Sequence, residues 1–101
     1  MKPIGVHAEA MEELADAMAF YESRAAGLGI DLQEKVDAAF ARIQQSPEAW
    51  PPHKRGRFRK FFVERFPYVV FYLELPESIL IVAIAHASRR PDYWTRRRVA
   101  E

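Results

Sequence analysis

The sequence contains no cysteine, and its 101 residues include no long apolar run. Without cysteine the chain cannot form disulfides, use a thiolate nucleophile or bind a metal through thiolates, and we expect a reducing, cytoplasmic location. The longest uninterrupted apolar run, residues 79–85, is far shorter than the ~20 residues that a membrane helix needs. Acidic side chains begin at Glu9, so we expect neither a signal peptide nor an association with membranes.

Several catalytic and cofactor-binding motifs are also absent. The chain has no glycine-rich phosphate loop, no Ser/His/Asp order and no pair of histidines at helical spacing, so nucleotide hydrolysis and acyl transfer have no support. Its three histidines, His7, His53 and His86, lie far apart, which does not suit a metal site. We therefore expect no metal and no cofactor. We place His7 at the start of a helix and His53 in an exposed connector.

Half of the residues are apolar and 29% are charged, a composition typical of globular proteins. A chain of this length buries roughly two-thirds of its unfolded surface, which is enough for one hydrophobic core without metals or disulfides. We therefore expect residues 1–101 to form a single domain.

Charge is divided unevenly between the two halves of the chain. Residues 1–50 carry four basic and nine acidic side chains, a net charge of −5, whereas residues 51–101 carry eleven basic and five acidic ones, a net charge of +6. The basic residues cluster at 54–65 and 89–98, and most are arginines. Because the planar guanidinium group suits phosphates, carboxylates and aromatic rings, this asymmetry favours a surface for a polyanion or an acidic protein. The alternative is a solvated basic face that the acidic helices balance.

Two amphipathic helices are predicted in the acidic half. Apolar residues recur at three- and four-residue steps over residues 8–25 and again over 32–43, which is helical spacing. Two glycines in residues 26–29 separate the helices and suit a tight turn. Asp31 and Glu34 have the spacing of a capping box near the start of the second helix, and a Ser-Pro pair ends it. Two helices joined in this way predict an antiparallel hairpin.

Three strands are predicted in the basic half, after a proline-containing connector at residues 48–56. Residues 57–65, 68–73 and 79–85 are rich in aromatic and β-branched side chains and are separated by short turns, which predicts an antiparallel meander. Residues 3–6 are short and apolar and suit a brief additional strand.

This order predicts an α+β fold, with an N-terminal strand and an antiparallel helical hairpin packed on one face of a small antiparallel sheet. The other face of the sheet and its ends are then left for binding. Residues 89–101 form a short basic tail whose composition is compatible with a helix.

The second half of the chain carries the pattern of a known family. FPYVVFY at residues 66–72, ILIVAIAH at 79–86 and RRPDYW at 89–94 follow an acidic helical hairpin, a connector and an arginine-bearing strand. In this order, residues 4–97 closely resemble the RelE/ParE family of toxins from bacterial toxin–antitoxin modules. The resemblance implies a growth-inhibiting toxin, as in plasmid-stabilisation modules, that a cognate antitoxin wraps and neutralises in a hetero-oligomer.

Members of this family differ in their targets. RelE-like members cut mRNA on the ribosome, whereas ParE-like members inhibit DNA gyrase. The RelE-like branch usually carries several basic residues on its middle strands, but residues 68–73 and 79–85 carry none, and the ending PDYW at 91–94 looks ParE-like. We therefore favour a toxin that inhibits DNA gyrase through protein–protein binding and is not an enzyme.

The RelE-like alternative is a metal-independent endoribonuclease that cleaves ribosome-bound mRNA. Such cleavage needs a general base, a general acid and cations around the phosphate. The candidate residues are His86, Arg59, Arg89 and Tyr93, with Lys54 as a further group for proton transfer. A third alternative is a non-toxic basic module that binds nucleic acid.

Binding to the target or to the antitoxin is assigned to the two basic clusters and one tyrosine. These residues are Lys54, Arg55, Arg57, Arg59, Arg89, Arg90, Tyr93, Arg96 and Arg97. Trp94 is expected to pack the tail against the sheet because of its large apolar area. Trp50 either covers the core or lies at an interface, and His86 is either a site residue or a structural histidine at a strand end.

Overall fold

The computed structural model describes residues 1–54 and 56–99. The bounds of its elements are β1 Ile4–Val6, α1 Ala8–Arg24, α2 Leu28–Gln45, β2 Arg59–Phe62, β3 Tyr68–Glu74 and β4 Ile79–His86. The predicted α+β fold is confirmed, with the helical hairpin packed on one face of a four-stranded sheet. Within the described residues, no helix has the length and apolarity required to span a bilayer.

The sheet is mixed rather than wholly antiparallel. Its strand order is β1-β4-β3-β2, and the predicted meander is confirmed, because β3 is antiparallel to both β2 and β4. The prediction is wrong for β1, which runs parallel to β4 with Ile4 opposite Ile79. A parallel pair needs a long connection between its strands, and the hairpin together with β2 and β3 supplies one here.

The turn between the helices depends on glycine, as predicted. Gly27 has a φ of 88°, a left-handed conformation that glycine adopts without steric cost. The carboxylate of Glu22 accepts hydrogen bonds from the backbone N–H groups of Gly27 and Gly29, at 2.9 and 3.0 Å. The predicted capping box is wrong, because α2 begins earlier, its N-cap residue is Gly27, and the Glu22 carboxylate rather than Asp31 accepts the backbone N–H groups there. Asp31 instead lies in the first turn of α2 and pairs with Arg65 at 3.2 Å.

The main core lies between the helices and the sheet. Ile43 on α2, Val70 on β3 and Ile81 on β4 belong to one fully buried cluster. Tyr72 is also buried there, and its hydroxyl donates a hydrogen bond to the carbonyl of Pro47 at 2.7 Å. Burial raises the pKa of Tyr72 to about 12, so the hydroxyl remains a donor at neutral pH.

The second face of the sheet is covered too, whereas the sequence predicts an open face. Residues 89–99, here called the C-terminal segment, cross it in a series of turns rather than a helix. Trp94, only 1% exposed, stacks on Phe71 with ring centroids 4.4 Å apart, and Phe58 meets Trp94 edge-on at 5.0 Å. Cover is needed because β3 and β4 place apolar side chains on both faces, as strands buried on both sides do. The predicted packing role of Trp94 is confirmed.

Candidate functional site

Asp92 links the C-terminal segment to the connector, a name that from here on covers the whole stretch between the end of α2 at Gln45 and the start of β2 at Arg59. Its Oδ1 accepts a hydrogen bond from Nε2 of His53 at 2.6 Å, and its Oδ2 pairs with the ammonium group of Lys54. The hydrogen bonds from Lys54 and His53 lower the pKa of the Asp92 carboxyl. Asp92 has a φ of 61°, a left-handed conformation that aspartate tolerates better than most residues.

His53 is half-buried in this junction, and its predicted exposed position is wrong. Its ring lies 4.9 Å from that of Phe71 and 5.5 Å from that of Trp94, measured between centroids. Its backbone N–H donates to the carbonyl of Phe58 at 2.8 Å, which folds the connector back onto the second face. Nδ1 of His53 is buried and has no hydrogen-bond partner within residues 1–54 and 56–99.

A cavity of about 170 Å³ lies between the connector, the C-terminal end of β4 and the C-terminal segment. Apolar side chains form much of its lining, among them Val69, Phe71, Ala85 and Trp94. Lys54, His86, Arg89, Arg90 and Tyr93 also line it, and the ring of His86 lies edge-on to that of Tyr68, with centroids 5.2 Å apart. The arrangement is therefore an apolar recess beside a row of cationic groups.

Glu13 on α1 anchors the C-terminal segment from the other side. Its carboxylate accepts hydrogen bonds from Nη1 and Nη2 of Arg97 at 2.9 and 2.8 Å, from the Tyr93 hydroxyl and from the backbone N–H of Ile84 at 3.0 Å. Burial raises the pKa of Glu13, but these hydrogen bonds together outweigh it and the pKa is lowered. Arg97 also pairs with Glu9 at 3.0 Å. We call Glu13, Tyr93 and Arg97 the anchor cluster.

Tyr93 joins the anchor cluster to the cavity. Its ring lies between two guanidinium groups, 4.2 Å from that of Arg89 and 5.2 Å from that of Arg97. The pKa of Tyr93 is raised to about 12, mainly because the hydroxyl is buried and secondly because it donates a hydrogen bond to Glu13. At neutral pH the tyrosine is therefore protonated and its proton is held by Glu13. This arrangement suits a structural contact better than proton transfer to a substrate.

The structure brings together five of the residues that the sequence predicts for a site. Lys54, His86, Arg89, Arg90 and Tyr93 all line the cavity. Arg57, Arg59, Arg96 and Arg97 lie elsewhere. Arg96 is exposed on the outer side of the C-terminal segment, Arg57 is exposed in the connector, and Arg97 is inside the anchor cluster with its side chain 10% exposed. Arg55 lies outside the described residues.

Arg59 is separated from the cavity, so the four residues proposed for a nuclease do not meet. In the strand register, Arg59 on β2 lies opposite Tyr72 on β3, whereas His86 on β4 lies opposite Tyr68 on β3. Tyr68 and Tyr72 are four residues apart, or about 13 Å along an extended strand. The guanidinium group of Arg59 donates to the carbonyl of Trp50 at 2.7 Å, where it supports the connector. Trp50 itself packs edge-on against Phe61 with centroids 4.6 Å apart.

Three residues that shape this region were not predicted as site residues. Glu13 looks like one more exposed acidic residue of an amphipathic helix, and His53 has no local motif. Asp92 lies in the PDYW motif that carries the family resemblance, but that motif predicts no ion pair with the connector. The only further signal for Asp92 is its position as the sole acidic residue among the bases of residues 89–98. In the part of the chain that the structure describes, no three His, Asp or Glu side chains are close enough to hold a metal ion.

Comparisons with known proteins place this geometry in context. The model of the family described as "ParE toxin of type II toxin-antitoxin system, parDE" matches residues 4–91. A solved structure titled "Chromosomal ParDE TA system from P. aeruginosa" superposes with a TM-score of 0.73 at 18% sequence identity, covering 87% of this chain and 98% of that one. At this identity the likeness concerns the fold. A search among curated proteins finds no match.

Proposed function

Since the chain belongs to the ParE toxin family of type II toxin–antitoxin systems, we propose that it inhibits bacterial growth by binding DNA gyrase and that a cognate antitoxin neutralises it. One observation carries the proposal. Arg89 and Arg90 are exposed beside the apolar cavity, and neither has a carboxylate partner among the described residues. Exposed arginines around an apolar recess are typical of protein–protein interfaces. The toxin would act in the cytoplasm.

The placement of the other candidate residues favours protein binding over RNA cleavage. The Tyr93 hydroxyl and the Arg97 guanidinium are both occupied by Glu13, and Arg59 lies away from the cavity. Cleavage of RNA without a metal needs an acid, a base and cations around one phosphate. Tyr93 and Arg97 are held by Glu13 and Arg59 lies away from the cavity, so the general acid, the general base and the cations do not meet around one phosphate. The charge and shape of the region suit recognition of a partner instead.

An acidic antitoxin is the expected neutralising partner. Two guanidinium groups that have no ion-pair partner among the described residues attract carboxylates at long range and speed the encounter, and the apolar recess gives the bound partner an area to bury. An antitoxin segment that covers Arg89 and Arg90 would prevent contact with the target. The resulting toxin–antitoxin complex is a hetero-oligomer.

Induction in growing cells tests the target. We expect plasmid DNA to lose negative supercoiling while mapped mRNA ends stay unchanged, and we expect growth to recover when the protein of the adjacent reading frame is co-expressed. Cuts at codons in the ribosomal A site with normal supercoiling would instead support the endoribonuclease. Growth inhibition that the neighbouring protein does not relieve would contradict the antitoxin part of the proposal.

The purified chain separates protein binding from simple attraction to nucleic acid. A module that binds nucleic acid through phosphates loses affinity steeply as salt rises. We expect only weak, salt-sensitive binding to DNA in the absence of gyrase and a much tighter complex when gyrase is present. Equal DNA binding with and without gyrase would favour the nucleic-acid-binding module.

A further inference from the structure

We propose that the cavity beside Arg89 and Arg90 is a recognition pocket for one aromatic side chain flanked by carboxylates, contributed by an acidic segment of a partner protein. The inference rests on the proposed function, since it specifies how the exposed arginines recognise a protein. It adds to that function a defined anchor point and the chemistry of the residue that fills it.

The size and lining of the cavity match one phenyl ring. Its volume is about 170 Å³, and an engineered apolar cavity of ~150 Å³ is large enough to take benzene. Val69, Phe71, Ala85 and Trp94 contribute apolar lining. A ring placed against them would lose contact with water and gain aromatic contacts, which is how anchor residues contribute most of the binding energy at interfaces.

Most polar groups of the cavity other than the two arginines already have hydrogen-bond partners, which does not suit a nucleobase. His53 and Lys54 are paired with Asp92, the hydroxyl of Tyr93 is held by Glu13, and Nδ1 of His86 accepts from the backbone N–H of Ser88 at 3.0 Å. Reading a base requires donors and acceptors that are free to meet its edges. The interior offers few such groups, because the unpartnered Nδ1 of His53 is itself buried. An apolar side chain needs none of them.

The cations beside the cavity define what should surround the ring. Arg89 and Arg90 are exposed and have no carboxylate partner within residues 1–54 and 56–99. Arg89 is held in place by stacking on Tyr93 at 4.2 Å, so its guanidinium group is oriented before a partner arrives. Guanidinium groups make their strongest hydrogen bonds with carboxylates. Acidic residues on either side of the aromatic ring therefore complement this surface.

Nuclear magnetic resonance on the ¹⁵N-labelled full chain tests the pocket with defined peptides. The probe is acetyl-Glu-Phe-Glu-amide, and the matched controls are acetyl-Glu-Ala-Glu-amide and acetyl-Lys-Phe-Lys-amide. We expect the probe to shift the resonances of Ala85, Arg90 and the Trp94 indole. We expect its affinity to exceed that of each control at least ~10-fold, because each control removes either the ring or the charge complementarity.

Substitutions in the chain supply the second arm. Arg89→Gln with Arg90→Gln should weaken probe binding ~10-fold, whereas Arg96→Gln, outside the cavity, should change it less than ~2-fold. Ala85→Leu should fill the cavity and weaken binding to a similar degree. Ala87→Leu, at an exposed lining position, repeats the test if Ala85→Leu disturbs the fold, which the dispersion of the amide spectrum reports.

Three results would contradict the proposed pocket. The alanine peptide could bind as tightly as the probe, uridine 5′-monophosphate could bind more tightly than the probe, or the resonance shifts could be confined to residues away from the cavity. A gyrase supercoiling assay on the same sample keeps the two claims distinguishable. Inhibition of gyrase without peptide binding contradicts the pocket alone. Peptide binding without inhibition of gyrase contradicts the proposed target alone.

Discussion

Glu13 and Arg97 form a two-bond ion pair that links α1 to the C-terminal segment, with Nη1–Oε1 and Nη2–Oε2 distances of 2.9 and 2.8 Å. Both side chains are largely shielded from water, at 12% and 10% exposed. Arg97 in addition donates to the carbonyl of Val82 at 3.0 Å. The pair therefore fixes the C-terminal segment against both a helix and a central strand, and this positions Arg89 and Arg90 beside the cavity.

Replacing Glu13 with glutamine should weaken this anchor strongly. Glu13→Gln leaves the shielded guanidinium of Arg97 without its main counter-charge, and breaking such a pair destabilises a fold by about 3 kcal/mol. Urea unfolding measures the change in the free energy of unfolding. Glu12→Gln, on the exposed surface of α1, is the matched control and should stay within ~0.5 kcal/mol. Equal effects of the two variants would show that the ion pair contributes nothing specific.

The anchor cluster also predicts how stability depends on pH. The fold lowers the pKa of Glu13 below its ordinary 4.5, so its contribution is present above pH 4.5 and is lost as pH falls through the lowered value. The stability difference between the native chain and Glu13→Gln should therefore shrink below pH 4.5. Unfolding curves recorded at a series of pH values measure this difference. If the difference in stability between the two proteins stayed constant down to the pH of acid unfolding, Glu13 would not be the group whose lowered pKa stabilises the fold.

At alkaline pH, Tyr93 gives the opposite dependence. Its pKa is raised from 10.0 to about 12, so the protonated hydroxyl stabilises the fold below pH 10 and that stabilisation is lost as pH rises towards 12. Tyr93→Phe should lower stability at neutral pH and flatten the decline above pH 10. Tyr72 shows a similar rise, so part of the decline should persist in the variant. Identical alkaline profiles for the two proteins would rule out this role of Tyr93.

Trp94 should be the most sensitive residue of the second face. Trp94→Ala removes a side chain that is 1% exposed and stacked on Phe71, and truncations of this kind cost about 3–5 kcal/mol. Thermal and urea unfolding give the magnitude, and limited proteolysis should show faster cleavage in the C-terminal segment. Trp50→Ala, at a half-buried position, is the comparison and should cost clearly less. A loss below ~1 kcal/mol for Trp94→Ala would mean that the segment does not depend on this residue.

Loss of the Asp92 charge should loosen the connector locally without unfolding the rest of the protein, because the carboxylate of Asp92 bonds to His53 and Lys54, which both belong to the connector. Asp92→Asn keeps a residue that tolerates the observed φ of 61° and removes only the charge that pairs with Lys54 and hydrogen-bonds His53. We expect faster hydrogen exchange at the backbone amides of the connector, with the amides of β3 and β4 unchanged. Glu77→Gln, in the exposed turn between β3 and β4, controls for loss of an acidic residue. Unchanged exchange in the connector would show that Asp92 does not hold it.

Local patterns were sufficient to predict much of the fold. The helical stripes, the glycine turn and the three strands of the meander follow from periodicity and turn chemistry, and the packing of Trp94 follows from its size. The parallel pairing of β1 did not follow, because three residues at the start of a chain contain no information on which strand they will meet. The apolar run of β4 and the size of Trp94 indicate that the tail packs on the sheet, but they do not show that the C-terminal segment covers a whole face, because that depends on contacts between distant residues.

Only part of the candidate site could be predicted, because a contact between residues that are distant in the sequence produces no local sequence pattern. Lys54, His86, Arg89, Arg90 and Tyr93 were predicted and do line one cavity. Arg97, however, looks like its basic neighbours in the sequence, and only the fold shows that Glu13, 84 residues away, neutralises it. The charge of Arg59 predicts a place in the site, whereas its register on β2 brings its guanidinium group to the carbonyl of Trp50 in the connector.

The most direct test of the central claim is the concentration of purified toxin that halves supercoiling by DNA gyrase. We predict inhibition by the native chain, and at least a ~10-fold higher half-inhibitory concentration for Arg89→Glu with Arg90→Glu, because reversing two interface charges replaces attraction by repulsion. Arg24→Glu, an exposed arginine on α1, should behave like the native chain. Equal inhibition by all three proteins, or no inhibition by the native chain, would contradict the account.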